Sequence, residues 1–421
     1  MLLKMKVIHT SDWHIGQTLH QYSRDEEHLY FFDQLKNIIL EEKPDALIVS
    51  GDIFHASAPG VMAQRLYYHA LVELSRLYDG EGLQIIVTAG NHDSPSRLEA
   101  PRELWEAFNV TVVGSLDFYK NAEYGKLTFD ASKVEIPVKR NGEIVGWVLA
   151  VPFVSAGNYP SLKDGDAYSD RVFSFYNNLK DNLKLNAQYS ENHSVIAMGH
   201  FMMSGVSSNA YSKLIGGLES VDVEKISQLN GIDYWALGHV HHPQNLSENM
   251  RYSGSPFALT FNEIYPHSVT VVEIENHKLD VRIREIEPLV PVVDFPFKPT
   301  SYDDAPSKEE LFLRIPEILD DNAYVRLHVA TELPLSDIEN ARIQEMFKGK
   351  NAKYCGIQAY FPVCESDGQE DVVLTLEEFR AISPFELGCA VYKKKNNTEM
   401  PDEMKRLFEE VCNEVMGNEV I

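Results

Sequence analysis

The stretch Ile85-Ile86-Val87-Thr88-Ala89-Gly90-Asn91-His92-Asp93 decides the fold. Its β-branched residues predict a buried strand, and the strand ends at a glycine. An amide, an imidazole and a carboxylate follow directly. Placing three such polar side chains at the end of an apolar strand costs free energy unless something binds them. The stretch therefore predicts a binding or catalytic site at the end of a strand.

Four other short apolar runs end in the same way. In chain order, the ligand-type residues that follow the five runs are Asp12 and His14, Asp52, Asn91 and His92, His200, and His239 and His241. Each alone has an ordinary explanation as a turn, core or surface residue. Chance turns do not follow five successive strands, however, and sites in α/β sheets assemble at the carboxyl ends of strands. We therefore expect these side chains to meet.

The alternation of strands and helices around these runs predicts an α/β fold with mostly parallel strands. Strands are expected over 6–11 and 45–50, and a helix over 61–77. The helix after the first strand has an apolar face of Leu29, Phe32, Leu35 and Ile39. Asn141-Gly142 between two apolar segments predicts a β-hairpin.

Prolines near residue 290 mark a predicted domain boundary, because the segment that they punctuate cannot be a continuous helix or a central strand. We expect a first domain over 1–288, a small α/β domain over 289–390 and a helical tail over 391–421. The tail carries an apolar stripe that includes Leu407, Phe408 and Val411. Such a stripe packs either on the protein itself or on a partner.

The net charge of −25 excludes an overall basic surface of the kind that free-standing nucleic-acid binders have. Contact with a polyanion would then need bound cations, a local patch or a partner.

The four cysteines form no close pair and suggest neither a disulfide framework nor a zinc knuckle; they are Cys355, Cys364, Cys389 and Cys412. No apolar run approaches the ~18 residues of a membrane span, and no signal-peptide core is present, so a cytoplasmic location is expected.

The residue types at the strand ends indicate a dinuclear metal site. Two cations ~3.5–4 Å apart need a bridging anion, and a strand-end aspartate can supply it. Imidazole, carboxylate and amide ligands without a thiolate suit Mn²⁺, Fe²⁺ or Zn²⁺.

The motifs resemble those of the calcineurin-like metallophosphoesterase superfamily, and in particular its branch of bacterial DNA nucleases. The segments that carry the resemblance are Thr10-Ser11-Asp12-Trp13-His14-Ile15-Gly16, Gly51-Asp52-Ile53-Phe54, Gly90-Asn91-His92-Asp93, Ala236-Leu237-Gly238-His239-Val240-His241 and Arg251-Tyr252-Ser253-Gly254-Ser255-Pro256. The resemblance implies a four-layer α-β-β-α sandwich, followed by a capping domain and the helical tail. Residues 53–55 include no tyrosine, the metal ligand that purple acid phosphatases have at this place, and residue 93 is Asp where protein phosphatases have Glu. Both differences argue against these two branches of the superfamily.

The resemblance also implies a role for each strand-end residue. Asp12, His14 and His241 would hold one metal, Asn91, His200 and His239 the other, and Asp52 would bridge both. His92 would protonate the leaving 3′ oxygen, and Asp93 would orient His92. His55 matches a substrate-contacting histidine, but a surface histidine explains it equally well.

The activity that the resemblance implies is Mn²⁺-dependent cleavage of DNA, as an exonuclease on duplex ends and an endonuclease on single strands or hairpins. An ATPase partner would dock on the C-terminal helix. A homodimer, within a heterotetramer, would form through helices of the nuclease domain. The 61–77 helix is a candidate for this contact, although core packing gives the same pattern; its apolar residues are Val61, Leu66, Leu71 and Leu74.

The alternatives are a small-molecule phosphoesterase that acts on cyclic nucleotides or nucleotide diesters, and a DNA-end-binding scaffold without catalysis.

Overall fold

The structure is a computed structural model that describes residues 4–78, 82–116, 119–120, 127–155, 158–159, 166–206, 220–362, 392, 398, 400–401 and 404–408. The chain divides into two compact units, Met1–Pro362 and Val363–Ile421. In the second unit, residues 404–408 are helical. The rest of the predicted tail helix, including Val411, and residues 363–390 of the predicted capping domain lie outside the described residues.

The part before residue 290 contains most of the strands and helices. Its strands are β1 (Lys4–Thr10), β2 (Thr18–Leu19), β3 (Tyr22–Ser23), β4 (Ala46–Ser50), β5 (Gln84–Thr88), β6 (Val110–Val113), β7 (Tyr119–Lys120), β8 (Leu127–Thr128), β9 (Glu135–Arg140), β10 (Glu143–Ala150), β11 (Ser194–His200), β12 (Tyr234–Gly238), β13 (Gln244–Ser247), β14 (Met250–Tyr252), β15 (His267–Glu275) and β16 (Lys278–Ile286). Its helices are α1 (Asp25–Glu42), α2 (Val61–Ser75), α3 (Pro95–Glu99), α4 (Arg102–Glu106), α5 (Tyr168–Leu183) and α6 (Val223–Ile226).

Twelve of these described strands form two six-stranded sheets, and β2-β3 and β7-β8 form two-stranded pairs. The first has the order β16-β15-β1-β4-β5-β6, and the second has the order β13-β14-β12-β11-β10-β9. Strands β1, β4, β5 and β6 are parallel, as are β10, β11, β12 and β14, whereas the strands at the remaining edges are antiparallel. The α/β class and the mostly parallel sheets are therefore confirmed.

The alternation of buried residues along the first sheet shows how the layers stack. Leu47 and Ile85 share a core with α1 and α2 on one face. The neighbouring residues Ile48 and Ile86 point to the other face and share a core with the second sheet and with α5. Because side chains alternate along a strand, one buried strand serves both cores. The layers follow the predicted α-β-β-α order.

Several local expectations can be compared with the structure. The predicted hairpin joins β9 and β10, and Asn141 and Gly142 both have positive φ, as a type I′ turn requires. Leu29 was expected on the buried face of α1, but it is 48% exposed and Phe31 lies in the core instead. In α2, Leu71 and Leu74 are buried in the protein's own core, whereas Val61 is exposed.

The segment after residue 290 has a sheet and a core of its own. Its parallel strands β17 (Val292–Phe295), β18 (Tyr324–Ala330) and β19 (Lys353–Tyr360) lie in that order, with helices α7 (Lys308–Arg314) and α8 (Asp337–Phe347). Leu311, Leu327 and Ile343 belong to its core. We call this segment, residues 292–360, the cap. The predicted boundary at residue 288 lies between β16 and β17.

Among the described helices, none is both long enough and apolar enough to cross a membrane.

Candidate metal centre

The strand ends that carry the predicted ligands meet at one pocket. Strands β1, β4 and β5 are neighbours in the first sheet, and β11 and β12 are neighbours in the second. The pocket is lined by His14, Gln17, Asp52, His55, Asn91, His92, His239, His241, Leu259 and Thr260. Since these residues come from both sheets, the packing of the two sheets creates the site.

Backbone hydrogen bonds hold the loops after β1 and β4 together. The amide of Asp12 donates to the carbonyl oxygen of Gly51 at 3.0 Å, and the amide of His14 donates to the carbonyl oxygen of Asp52 at 3.0 Å. The two loops are thus fixed side by side before any ligand binds. This pairing brings the side chains of Asp12, His14 and Asp52 into one cluster.

Four of the predicted ligands have a left-handed backbone conformation. The φ angles are 54° for Asp12, 45° for His14, 51° for Asp52 and 97° for His239. Such angles are uncommon for residues with a Cβ and cost free energy, which the surrounding structure must offset. Strained residues of this kind cluster at functional sites. Their concentration here supports a functional rather than a structural origin.

Asp52 lies at the centre of the cluster. Its Oδ2 is 3.5 Å from Nε2 of His14 on one side and 3.4 Å from Nε2 of His200 on the other. Ligand-type atoms of Asp12, His14 and His241 lie within 4.8 Å of one another, as do those of Asp12, Asp52 and His200. The arrangement offers two adjacent cation positions with Asp52 between them.

Asn91 completes the second of these positions. Its side-chain oxygen is 3.0 Å from Nε2 of His200 and 2.9 Å from Nδ1 of His239. An oxygen and two imidazole nitrogens therefore converge beside Asp52. The seven predicted ligands are all brought together.

The chemistry of the donors fits divalent metals. Both ring nitrogens of His14 are buried without a hydrogen-bond partner among the described residues. A buried imidazole left in this state is costly, and a metal ion would satisfy it. Nδ1 of His200 donates to the carbonyl oxygen of Ser50 at 2.9 Å, so Nε2 is the nitrogen that faces Asp52 and would bind an ion.

The electrostatics of the cluster also favour a cation. Burial alone would lower the pKa of His200, but the carboxylates of Asp52 and Asp12 outweigh it and raise the pKa to about 9. Burial raises the pKa of Asp12. Carboxylates gathered in a buried site make a negative local field, and a bound divalent ion would neutralise it.

His92 and His55 lie together at the pocket wall. The backbone amide of His92 donates to Oδ1 of Asp52 at 2.9 Å, and its Nδ1 donates to the carbonyl oxygen of His55 at 2.9 Å. The His55 ring stacks on the His92 ring with centroids 5.9 Å apart. His55 is therefore part of the pocket and not a remote surface residue.

Asp93 has different partners from those expected. Its Oδ2 accepts from the amides of Ile53 and Gly90 at 3.0 and 2.8 Å, and its Oδ1 accepts from the amide of Phe54 at 2.9 Å. Since both oxygens face backbone amides, and His92 bonds to a carbonyl, the expected orientation of His92 by Asp93 is wrong. Asp93 ties the loop after β4 to the loop after β5.

Gly90 is required for a reason other than a sharp turn. The left-handed conformations among the described glycines do not include Gly90. A Cβ at Gly90 would overlap the carboxylate and the backbone nitrogen of Asp52. The glycine therefore allows close approach of two loops.

Gln17 and Glu263 are among the residues of the site that were not predicted from the sequence. Gln17 lines the pocket and donates from its side chain to the carbonyl oxygen of Leu259 at 2.9 Å. Glu263 accepts from Nδ1 of His241 at 3.2 Å. Gln17 could have been suspected because it follows His14 by three residues, but Glu263 follows no strand-end motif.

Comparison with known proteins identifies the family. The sequence model of the calcineurin-like phosphoesterase family matches residues 5–243. Similar proteins include SbcD of Rhodobacter capsulatus, a subunit of the nuclease SbcCD, which is 37% identical over 64% of this chain and 66% of its own length. The SbcD protein of Bacillus subtilis is 28% identical over 98% of both chains, and that of Escherichia coli is 30% identical over 66% of both. The chain thus spans just under two thirds of the Rhodobacter and Escherichia proteins, and most of the Bacillus one. The chain belongs to the calcineurin-like phosphoesterase family.

Proposed function

We propose that this chain is the nuclease subunit of an SbcCD-type complex, which hydrolyses DNA phosphodiester bonds at a site for two Mn²⁺ ions. The names of the relatives support a nuclease. The convergence of six further ligand-type residues around Asp52 is the observation that carries the proposal, because it supports a site for two cations on strained, preorganised loops.

In the proposed site, Asp12, His14 and His241 hold one ion, Asn91, His200 and His239 hold the other, and Asp52 lies between them. Two divalent ions held in this way supply Lewis-acid chemistry, which lowers the pKa of water and offsets negative charge on a phosphate. The chain fixes its ligands in advance through the backbone bonds between the loops.

His92 is proposed as the general acid. Its Nδ1 carries a proton, because that nitrogen donates to a carbonyl oxygen. Nε2 is then the nitrogen that, when protonated, can donate to the departing 3′ oxygen. His55, which holds His92 through its carbonyl oxygen and stacks on its ring, is proposed to contact the substrate.

The proposed assembly includes an SbcC-type ATPase, bound through the C-terminal helix, and a homodimer within a heterotetramer. It would work in the cytoplasm on DNA ends and hairpins during repair, recombination and replication. The cap would cover DNA at the site. Deletion of the residues after Lys395 tests the docking: the truncated chain should lose partner binding, and unchanged binding would contradict it.

A comparison of substrates tests the activity. The purified full chain is incubated with Mn²⁺ and end-labelled duplex, hairpin or single-stranded DNA, beside bis-p-nitrophenyl phosphate. Cleavage of DNA supports the nuclease. Cleavage of the small ester alone would support the small-molecule phosphoesterase instead.

The variant His92→Ala separates proton transfer from metal binding. It should bind two Mn²⁺ ions like the wild type and lose most DNA cleavage, a loss of about 10²–10⁴-fold. His69→Ala is the matched control, since His69 is exposed on α2. Loss of a metal from His92→Ala would show that His92 is a ligand rather than the acid.

A further inference from the structure

Glu263 is a buried carboxylate in direct contact with a proposed metal ligand. It lies in the segment between β14 and β15 and is 3% exposed. Its Oε1 accepts from Nδ1 of His241 at 3.2 Å. Its Oε2 accepts from the backbone amide of Leu259 at 3.0 Å and from the hydroxyl group of Ser255 at 3.4 Å. The hydroxyl group of Thr260 donates to Oε1 at 3.3 Å. The strand-end pattern gives no role to this residue.

The contact determines which nitrogen of His241 is free. An ionised carboxylate only accepts hydrogen bonds, so Nδ1 of His241 carries the proton and Nε2 offers its lone pair. A neutral imidazole with an unprotonated Nε2 is the form that binds a metal. Glu263 therefore selects the tautomer in which His241 can act as a ligand.

The other metal-binding histidines are held differently. His200 is oriented by the backbone carbonyl oxygen of Ser50, a neutral acceptor. The ring nitrogens of His14 have no hydrogen-bond partner within the described residues. A carboxylate holds its histidine more strongly than a carbonyl group and makes the ring a better electron donor. Nδ1 of His239, in the second position, contacts the side-chain oxygen of Asn91. Among the described contacts of the four proposed histidine ligands, only that of His241 involves a carboxylate outside the ligand set.

A loop anchor alone would not need a carboxylate. The backbone amide and two hydroxyl groups that contact Glu263 could be satisfied by a neutral amide side chain, at lower cost of burial. The negative charge of Glu263 is explained if it acts through His241 on a bound cation.

We propose that Glu263 is a positioning residue of the metal centre, which holds His241 so that Nε2 faces the ion bound with Asp12 and His14. The inference rests on the proposed two-metal function and deepens it. Through Leu259 and Thr260, the same carboxylate also fixes one wall of the pocket. We therefore expect the binding affinities of the two ions to depend unequally on Glu263.

Metal titration of Glu263→Gln tests the proposal. The full chain is stripped with a chelator and titrated with Mn²⁺ by calorimetry, and bound ions are counted by electron paramagnetic resonance. One of the two binding events should weaken by about 10–100-fold, and the other should keep its wild-type affinity. Glu135→Gln is the matched control, because Glu135 is also a buried carboxylate, bonded to Asn182 away from the site. It should change neither event.

A double variant shows whether Glu263 acts through His241. His241→Ala removes the first site, and adding Glu263→Gln should then cause no further loss of Mn²⁺ affinity. Glu263→Asp, which keeps the charge but retracts it, should weaken the same single event and serves if Glu263→Gln does not fold. Near-UV circular dichroism of the metal-free variants verifies the fold.

Two outcomes overturn the inference: a Glu263→Gln protein that binds both ions like the wild type, or one that loses both ions equally with its fold intact. Neither outcome bears on the nuclease proposal. Conversely, a wild-type protein that binds two ions but leaves DNA intact would refute the nuclease and leave the role of Glu263 standing.

Discussion

Gly90 lies so close to Asp52 that any side chain at this position would displace the carboxylate at the centre of the site. Because a backbone nitrogen is also overlapped, the two loops would have to separate. We expect Gly90→Ala to lower phosphodiester cleavage by about 100-fold, since small misplacements of reacting groups have effects of this size. Gly60→Ala is the control, as a Cβ there meets no atom within 4 Å. Equal activities of the two variants would contradict the steric argument.

Asp93 stabilises the site through the backbone of its loops. In Asp93→Asn, the amide nitrogen cannot accept the hydrogen bonds that a carboxylate oxygen receives from Ile53, Phe54 or Gly90. The free energy of unfolding should fall by about 1–3 kcal/mol, the usual cost of an unsatisfied buried donor. Urea denaturation measures this loss. A loss below about 0.5 kcal/mol would contradict this role of Asp93.

At the scale of elements, the sequence predicted those turns and helices whose formation depends on residues that are close together in the chain. Asn141-Gly142 predicted its hairpin, because these two residues tolerate the positive φ angles that the turn requires. The predicted buried face of α1 was wrong at Leu29, because the apolar residues that follow one another there allow either Leu29 or Phe31 to face the core. The partners of Asp93 could not be predicted either. A carboxylate beside an imidazole in the sequence says nothing about the backbone amides 40 residues away that it meets in space.

The contact between the cap and α1 is likewise non-local. Tyr324 of β18 donates its hydroxyl hydrogen to Glu27 of α1 at 2.8 Å, across 297 residues of sequence. The guanidinium of Arg24 lies 5.0 Å from the centre of the Tyr324 ring and pairs with Glu27. No sequence period reports such a pairing, so the way the cap docks had to come from the structure.

Tyr324→Phe tests whether this contact holds the cap. It removes one hydrogen bond to a buried carboxylate and keeps the ring, so the free energy of unfolding should fall by about 1.5–3 kcal/mol. Tyr354→Phe, in the neighbouring β19, is the control because its ring packs on Phe347 within the cap. Chemical denaturation of the full chain compares the two. A loss no larger than that of the control would show that the contact is not stabilising.

The cap also contains a pH-dependent cluster. Burial alone would raise the pKa of Asp294, but hydrogen bonds from His328 and Arg326 outweigh it and lower the pKa to about 2. The unfolded chain, with an ordinary value of 3.8, binds the proton first as the pH falls. The stability that Asp294 contributes is therefore complete above about pH 4 and is lost towards about pH 2. Urea denaturation at a series of pH values should show the difference in unfolding free energy between wild type and Asp294→Asn shrinking over that range. A difference that stays constant would contradict this cause.

At the scale of the whole molecule, the charge of −25 sets a condition on DNA binding. Several arginines are already paired with carboxylates: Arg140 with Asp45, and Arg282 and Arg284 with Glu42. Neutralised in this way, they add little attraction for phosphates. For the proposed DNA binding, we therefore expect bound cations and a partner to supply much of the positive charge at the pocket.

Metal removal should therefore weaken DNA binding by the isolated chain. We expect chelator-treated protein to lose most of its affinity for a phosphorothioate duplex that resists cleavage, and Mn²⁺ to restore it, because the ions carry the positive charge at the site. Fluorescence anisotropy measures the affinity, with NaCl added to match ionic strength, since salt alone weakens phosphate contacts. Asp52→Asn, which removes the charge between the two ion positions, should not respond to Mn²⁺. Equally tight binding with and without metal would mean that a basic surface of the chain, rather than its metal centre, holds the DNA.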